Sequence, residues 1–143
     1  MRADSCIKWE PVDGILAPCA DIRFTYTVPS FLSVTMYFSH VRNGAPQDLI
    51  LNFSGAIALR WESESFGLVP LPERLPRCPG PWSRWTFPLL SIENSTWLDT
   101  HHARNLVSSK GRLHFALLSM NDLLHILALP DVKAAWTDST NKA

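Results

Sequence analysis

Strict alternation of apolar and polar residues through the first half of this chain constrains its fold more than any other sequence feature. The longest run extends from Asp48 to Glu62, and Ile50 is the one large apolar residue out of phase. The apolar parity of this run consists of Leu49, Leu51, Phe53, Ile57, Leu59 and Trp61. Two shorter runs, at 22–28 and 32–38, alternate in the same way. Because a period of two is typical of a strand with one buried face, the pattern predicts β-sheet.

Short turns separate the alternating runs. Pro29-Ser30 interrupts the first two, and the Asn-Gly-Ala-Pro sequence at 43–46 is a turn signal. Connections of this length favour an antiparallel meander over parallel strands joined by crossover helices. Gly55 lies in the middle of the longest run, which fits either one bent strand or a tight hairpin through 52–56. The bent strand is favoured because two-residue hairpin turns more often carry Asn-Gly or Asp-Gly.

The last third of the chain mixes strand and helix signals. Residues 85–92 fit an edge strand, where a proline is tolerated. Asn94 or Ser95 is placed to cap a short helix that extends to about Arg104. A further strand alternates over 113–119.

A second helix is predicted beyond this strand. Ser119 stands three residues before Asp122, a variant of the capping box, and an apolar run follows at 123–128 until Pro130 ends it. A final turn is predicted to dock Val132 and Trp136.

The predicted architecture is a single α+β domain over residues 1–143. It is mainly an antiparallel sheet in a meander, with two or three short helices, mostly in the C-terminal third. With 46% apolar and 18% charged residues, the chain is able to bury a core. The polar tail 137–143 is expected to be frayed.

Charge and hydropathy exclude several partner classes. Thirteen Lys and Arg balance thirteen Asp and Glu, so the chain lacks the basic excess of a nucleic-acid-binding protein. No apolar run approaches the ~20 residues of a membrane span. The N-terminal residues also lack the pattern of a signal peptide. We therefore expect a cytoplasmic protein, with neither nucleic acid nor a membrane as its partner.

Catalytic and metal-binding motifs are absent from the sequence. It has no phosphate-binding glycine loop and no nucleophile elbow. His101 and His102 are adjacent, so on a helix they point about 100° apart, whereas metal-binding helices space their ligands at i and i+4. Cys6, Cys19 and Cys78 are too few for a disulfide framework or a zinc site. We expect no enzymatic activity, no cofactor and no metal; the catalytic alternative is an enzyme that uses Cys78 or a histidine cluster.

Residues 66–88 form a proline-rich loop, because six of the eleven prolines fall there and neither a helix nor a sheet ladder tolerates that density. The loop also holds Arg74, Arg77, Trp82, Arg84 and Trp85. Trp and Arg are enriched at the energetic centres of interfaces, and proline lowers the entropy that a loop loses on binding. These five residues are therefore predicted to bind a partner; the alternative is that Trp82 and Trp85 anchor the loop to the core. Glu62 and Glu64 are predicted to form a separate acidic contact patch.

Two stretches of the chain carry a family resemblance. Residues 51–62 (LNFSGAIALRWE) are an apolar strand with an aromatic and acidic end, and residues 113–128 (LHFALLSMNDLLHILA) are a strand followed by a capped helix. In these stretches the chain resembles the small cytoplasmic immunity proteins of bacterial polymorphic toxin systems, including those of contact-dependent and type VI secretion. The resemblance implies a protein without catalytic activity that binds one cognate toxin and neutralises it by occlusion. Many immunity proteins against nucleases are acidic, and this neutral chain departs from that pattern.

The leading hypothesis is accordingly a protein-binding module of the immunity type. The alternative is a small-ligand or carbohydrate-binding β-domain that uses exposed Trp61, Trp82 or Trp85 as stacking platforms. Exposed aromatic side chains would also be compatible with a homodimer.

Overall fold

The computed structural model describes six segments of the chain: residues 4–15, 19–38, 46–63, 75–76, 87–104 and 111–138. Within them lie nine strands and one helix. The strands are β1 Ser5–Lys8, β2 Asp21–Thr27, β3 Phe31–Phe38, β4 Gln47–Phe53, β5 Ala58–Ser63, β6 Leu89–Glu93, β7 Leu113–Leu118, β8 Asp122–Ala128 and β9 Lys133–Asp138, and the helix is α1 Thr96–Arg104. The fold of the described residues is therefore mostly antiparallel β, and the predicted α+β class is wrong in giving helices a larger share.

The strands form two antiparallel sheets that pack face to face. The five-stranded sheet has the order β1-β6-β7-β8-β5, and the four-stranded sheet has the order β2-β3-β4-β9. Three consecutive strands neighbour one another in each sheet, so the predicted meander is confirmed for β2-β3-β4 and is repeated in β6-β7-β8. Buried side chains from both sheets form one core, and the rings of Phe53 and Phe115 meet across it at 5.3 Å.

The alternation in the sequence corresponds to the two faces of the four-stranded sheet. Every second residue of β3 is buried, namely Leu32, Val34, Met36 and Phe38. The same holds for Leu49, Leu51 and Phe53 of β4. These residues are opposite one another in the β3–β4 register, so one face of this sheet supplies half of the core.

Gly55 bends the chain as predicted, but the bend transfers the chain from one sheet to the other. Its φ is +59°, and a Cβ at this position would lie 2.8 Å from the Leu129 side chain. β4 and β5 consequently belong to different sheets, so they form neither one bent strand nor a hairpin. Backbone hydrogen bonds from Ala56 N to Ser30 O (3.0 Å) and from Ile57 N to Leu127 O (2.9 Å) hold the crossing.

The structure confirms the helix that is predicted to extend to about Arg104, whereas the second helix, predicted at 123–128, is a strand. Ser95 Oγ accepts the backbone N–H of Leu98 at 3.0 Å, so Ser95 caps α1. The run at 123–128 belongs to β8, which lies between β7 and β5 and is buried on both faces. Such a strand has no polar parity, and its sequence cannot be distinguished from a buried helix by periodicity.

Ser119 acts at a hairpin turn instead of a helix cap. Its Oγ accepts the backbone N–H groups of Asp122 (2.9 Å) and Asn121 (3.2 Å), and its own N–H donates to Asp122 O (2.8 Å). The hydroxyl-to-backbone bonds that the capping-box pattern predicts are present, but they close the connection from β7 to β8. A serine or threonine side chain makes the same local bond in either context.

Two other predicted elements also differ. β6 pairs with both β1 and β7, so it is not an edge strand, and Pro88 precedes its first residue. Residues 133–138 are strand β9, paired with β4, where a docking turn is predicted. Of the proline-rich loop, only 75–76 and 87–88 are among the described residues, and 139–143 of the predicted frayed tail lie outside them.

One side of the sandwich is filled by the segment between β1 and β2. The ring of Trp9 contacts Phe115 at 4.6 Å and Phe53 at 5.9 Å, and Ile15 is buried in the same core. The indole N–H of Trp136, on the edge strand β9, donates to Asp13 O at 2.7 Å. Residues 9–15 therefore close the side of the core that lies next to β9.

Candidate functional site

Glu62 is the one predicted partner-binding residue that lies among the described residues. Arg74, Arg77, Trp82, Arg84, Trp85 and Glu64 all lie outside them, so the loop surface stays a prediction. Glu62 is half-buried in β5, and its Oε2 lies 3.8 Å from His125 Nε2. Its carboxylate therefore belongs to a histidine cluster that is described below.

The side of the sandwich between the edge strands β2 and β5 is covered less well than the side next to β9. Phe24 and Tyr26 of β2, and Leu59 and Trp61 of β5, stand opposite core residues in their strand pairs, so they point between the two sheets. Even so, their exposed fractions are 39%, 49%, 39% and 49%, respectively. These four residues define what we call the open side.

The open side is a bounded groove. At one end the backbones of Cys19 and Ser119 form an isolated parallel β-bridge, and Met120 N donates to Cys19 O at 3.0 Å. At the other end the crossing from β4 to β5 holds Ala56 against Ser30. Beside that end lies an apolar cavity of about 320 Å³, which is lined by Tyr26, Leu32, Ala56, Ile57, Ala58 and Leu59. The strands β2 and β5 thus flank the groove along its length.

A second concavity lies on the outer face of the five-stranded sheet, under α1. It has a volume of about 630 Å³, and we call it the outer pocket. Its polar lining includes Asp4, Arg60, Thr96, Thr100, His114 and His125. The guanidinium of Arg60 lies over the Trp97 ring, 5.1 Å from its centroid. Asp4 Oδ1 accepts the Thr96 backbone N–H (3.0 Å) and the Thr96 hydroxyl (2.7 Å) at the start of the helix.

A chain of buried polar groups runs beneath the outer pocket. We assign its direction from its two ends, the backbone N–H of Leu98 and the carboxylate of Glu62. The Ser95 hydroxyl, which accepts the Leu98 N–H, donates to His114 Nδ1 at 2.7 Å. His114 Nε2 then donates to His125 Nδ1 at 2.8 Å. The last contact, from His125 Nε2 to Glu62 Oε2, is 3.8 Å and is too long for a hydrogen bond.

His114 and His125 are both neutral at physiological pH. Burial lowers the pKa of His114 to about 4, with a further decrease from the charge of Arg60 and a smaller increase from Asp4. Burial lowers the pKa of His125 to about 3, again assisted by Arg60 and by His114. Neutral rings are what the bonding pattern requires, because Nδ1 of each histidine accepts a hydrogen bond and therefore carries no proton.

The arrangement differs from a nucleophilic site and from a metal site. Ser95 is buried, and its oxygen and its proton are both engaged in hydrogen bonds. Burial raises the pKa of the Cys19 thiol, which disfavours the reactive thiolate. Cys78 lies outside the described residues. Among the residues that the structure describes, no group of three or more His, Cys, Asp or Glu side chains is arranged to hold a metal ion.

Sequence patterns did not identify either concavity. His114 and His125 are eleven positions apart in the sequence and meet because β7 and β8 form a hairpin. The sequence predicts a helix at 123–128 and therefore does not bring the two histidines together. The parity of Phe24, Tyr26, Leu59 and Trp61 assigned these side chains to a buried face. The sequence does not show that the strands at 22–28 and at 58–62 are the edge strands of two different sheets, and this placement is what leaves their side chains exposed.

Comparison of the chain with protein-family models, with curated proteins and with solved structures found no match. In the described part of the chain, no helix has the length and apolar character needed to cross a membrane. The structural argument for a function consequently rests on the two concavities themselves.

Proposed function

We propose that this chain is a protein-binding module without catalytic activity, and that it binds and neutralises a cognate bacterial toxin in the cytoplasm by occlusion. The observation that carries the protein-binding part is the open side of the sandwich. The toxin as the partner is suggested by the sequence resemblance of residues 51–62 and 113–128 to immunity proteins, although 113–128 are the β7–β8 hairpin and not a strand followed by a capped helix.

The amount of apolar surface at the open side supports this proposal. An aromatic side chain carries about 150–250 Å², so the exposed fractions of Phe24, Tyr26, Leu59 and Trp61 leave roughly 350 Å² open. The largest apolar patch on a typical monomer is about 300–600 Å² and is often functional.

The shape of the open side favours an extended segment of the partner over a flat surface. A standard interface buries about 800 Å² per partner, which is more than this groove offers, so a second copy of the chain fits it less well. On the other side of the core, Trp9 and Ile15 of the segment between β1 and β2 already fill the equivalent space. In the described residues, β2 and β5 each pair with one neighbour only, so each has a free backbone edge for an added strand.

The neutral charge of the chain agrees with recognition through apolar contacts. With equal numbers of acidic and basic residues, long-range attraction to a strongly charged partner is weak. Affinity would then come from burying side chains such as Tyr26 and Leu59 against apolar residues of the toxin. A second contact through Arg74, Arg77, Trp82, Arg84 and Trp85 stays a prediction from the sequence.

Co-expression with the product of the adjacent gene tests the proposal. We expect the two proteins to elute together in size-exclusion chromatography, and we expect this chain to protect cells that express the toxin. Leu59→Asp places a charge in the groove and should abolish both results. Ile7→Asp is the matched control, because Ile7 is 38% exposed on the opposite edge strand and should tolerate the charge.

Separate elution together with unprotected growth would contradict the proposal. Equal loss of binding in both variants, with native circular dichroism, would contradict the assignment to the open side while leaving a protein partner in place.

A further inference from the structure

The outer pocket is independent of the open side, because it lies on the other face of the five-stranded sheet. Its volume of about 630 Å³ falls within the ~300–1,000 Å³ of small-molecule sites. Ile92, Leu75, Pro76 and the Trp97 ring provide an apolar wall beside the polar groups. We propose that this pocket binds a small aromatic carboxylate, whose carboxylate group pairs with Arg60 while its ring packs on the apolar wall.

Arg60 supplies the recognition of an anion. It is the one Lys or Arg among the described residues that line the pocket, and the two histidines beneath it are neutral. No carboxylate of the described segments lies within ion-pair distance of its guanidinium. The cation–π contact with Trp97 holds the guanidinium at the pocket, and its planar fork of donors matches a carboxylate. Within the described segments, the pocket therefore presents a cation that no carboxylate pairs with directly.

Asp4 is a weaker recognition group than Arg60. Its Oδ1 already accepts two hydrogen bonds from Thr96, so part of its capacity is used at the helix start. A ligand cation would also have to lie near Arg60 in the same pocket, and the two positive charges would repel each other. An anionic ligand is thus favoured over a cationic one. Thr100, which also lines the pocket, carries a hydroxyl that is able to donate a further bond.

Calorimetric titration of the full chain at pH 7 tests this inference with three probes of similar size: benzoate, benzylammonium and benzyl alcohol. We expect saturable binding of benzoate, and at least tenfold weaker binding of the other two. Arg60→Gln should weaken benzoate binding tenfold or more, since a hydrogen-bonded charge pair is lost. Arg23→Gln is the matched control and should leave it unchanged, because Arg23 is an exposed arginine of the other sheet.

Arg60→Lys keeps the charge without the planar fork, so it should give an intermediate affinity, and it replaces Arg60→Gln if that variant does not fold. Histidine NMR signals supply a second readout. Besides Arg60, the charged groups that face the pair are Asp4 and Glu62. Benzoate bound at Arg60 would offset its charge, so the pKa of His114 should rise on binding.

Absence of benzoate binding, equal affinity in the Arg60 variants, or preference for benzylammonium would each overturn the inference. None of these results would affect the proposed protein-binding function, because Leu59→Asp tests the other face of the molecule.

Discussion

Acidification from pH 8 to pH 5 is expected to destabilise this protein through His114 and His125. Their folded-state pKa values, about 4 and about 3, lie below the ordinary value of 6.5. Between these limits the unfolded chain binds more protons than the folded one, so stability rises with pH. The contribution of each histidine is fully present above about pH 6.5 and is lost as the pH falls toward the folded-state value.

The size of the effect follows from the same values. Each pH unit below 6.5 costs about 1.4 kcal/mol for each histidine that stays neutral in the folded state. At pH 5 the loss is about 2 kcal/mol for each ring and about 4 kcal/mol for the pair. Both side chains are buried, so solvent screening does not reduce this figure much. Against a total stability of about 5–15 kcal/mol for a domain, such a loss is readily measured.

Urea unfolding at pH 8, 7, 6 and 5 measures this dependence. The double variant His114→Gln/His125→Gln should be less stable than the wild type at pH 8, because it breaks the hydrogen-bond chain, but its stability should fall much less on acidification. Asn52→Ala, at an exposed position of β4 without a titratable side chain, is the control and should retain the wild-type slope. Equal slopes in the wild type and the double variant would refute the reasoning. If the double variant does not fold, NMR titration of the wild type decides: either ring titrating near pH 6.5 would refute it.

Two further substitutions test local features of the fold by urea unfolding. Gly55→Ala should lower the free energy of unfolding by about 2–4 kcal/mol, because the positive φ strains an alanine and its Cβ would lie 2.8 Å from Leu129. Gly111 has a similar φ but no close neighbour, so Gly111→Ala should lower it by only about 1–2 kcal/mol. Equal losses in the two variants would contradict the packing argument. Ser95→Ala should lower the free energy of unfolding by about 2–4 kcal/mol, because α1 loses its cap and His114 Nδ1 loses its donor. Thr100→Ala, at an exposed position of α1, should change it by less than about 0.5 kcal/mol. A similar effect of both substitutions would show that the cap is unimportant.

Strands that are buried on one face could be predicted from the sequence, and strands that are buried on both faces could not. β3 and β4 have core residues on one side only, so their alternation survives in the sequence. β8 is covered on both sides, and the apolar run of Leu123–Ala128 gives no indication of its period. Ser119 made the incorrect prediction of a helix at 123–128 more convincing, because a hydroxyl that accepts backbone N–H groups stabilises a turn as well as a helix start.

The candidate sites depended on contacts between distant parts of the chain. The Ser95–His114–His125 chain requires the cap of α1, the β7–β8 hairpin and a shared outer face. Each histidine viewed alone in the sequence is merely a polar residue within an apolar strand. Its burial, which lowers its pKa, is a property of the packed molecule.

Local sequence determined which residues are strands with a buried face, that a helix begins near Asn94 or Ser95, and that the chain bends at Gly55, because these depend on neighbours within a few positions. Only the tertiary structure decided that β2 and β5 are edges, and that segment 9–15 fills one side of the core while Phe24, Tyr26, Leu59 and Trp61 stay exposed at the other. Alternation records that a side chain faces inward. Whether anything covers it depends on which strands pair and pack, and this is decided by the whole chain at once.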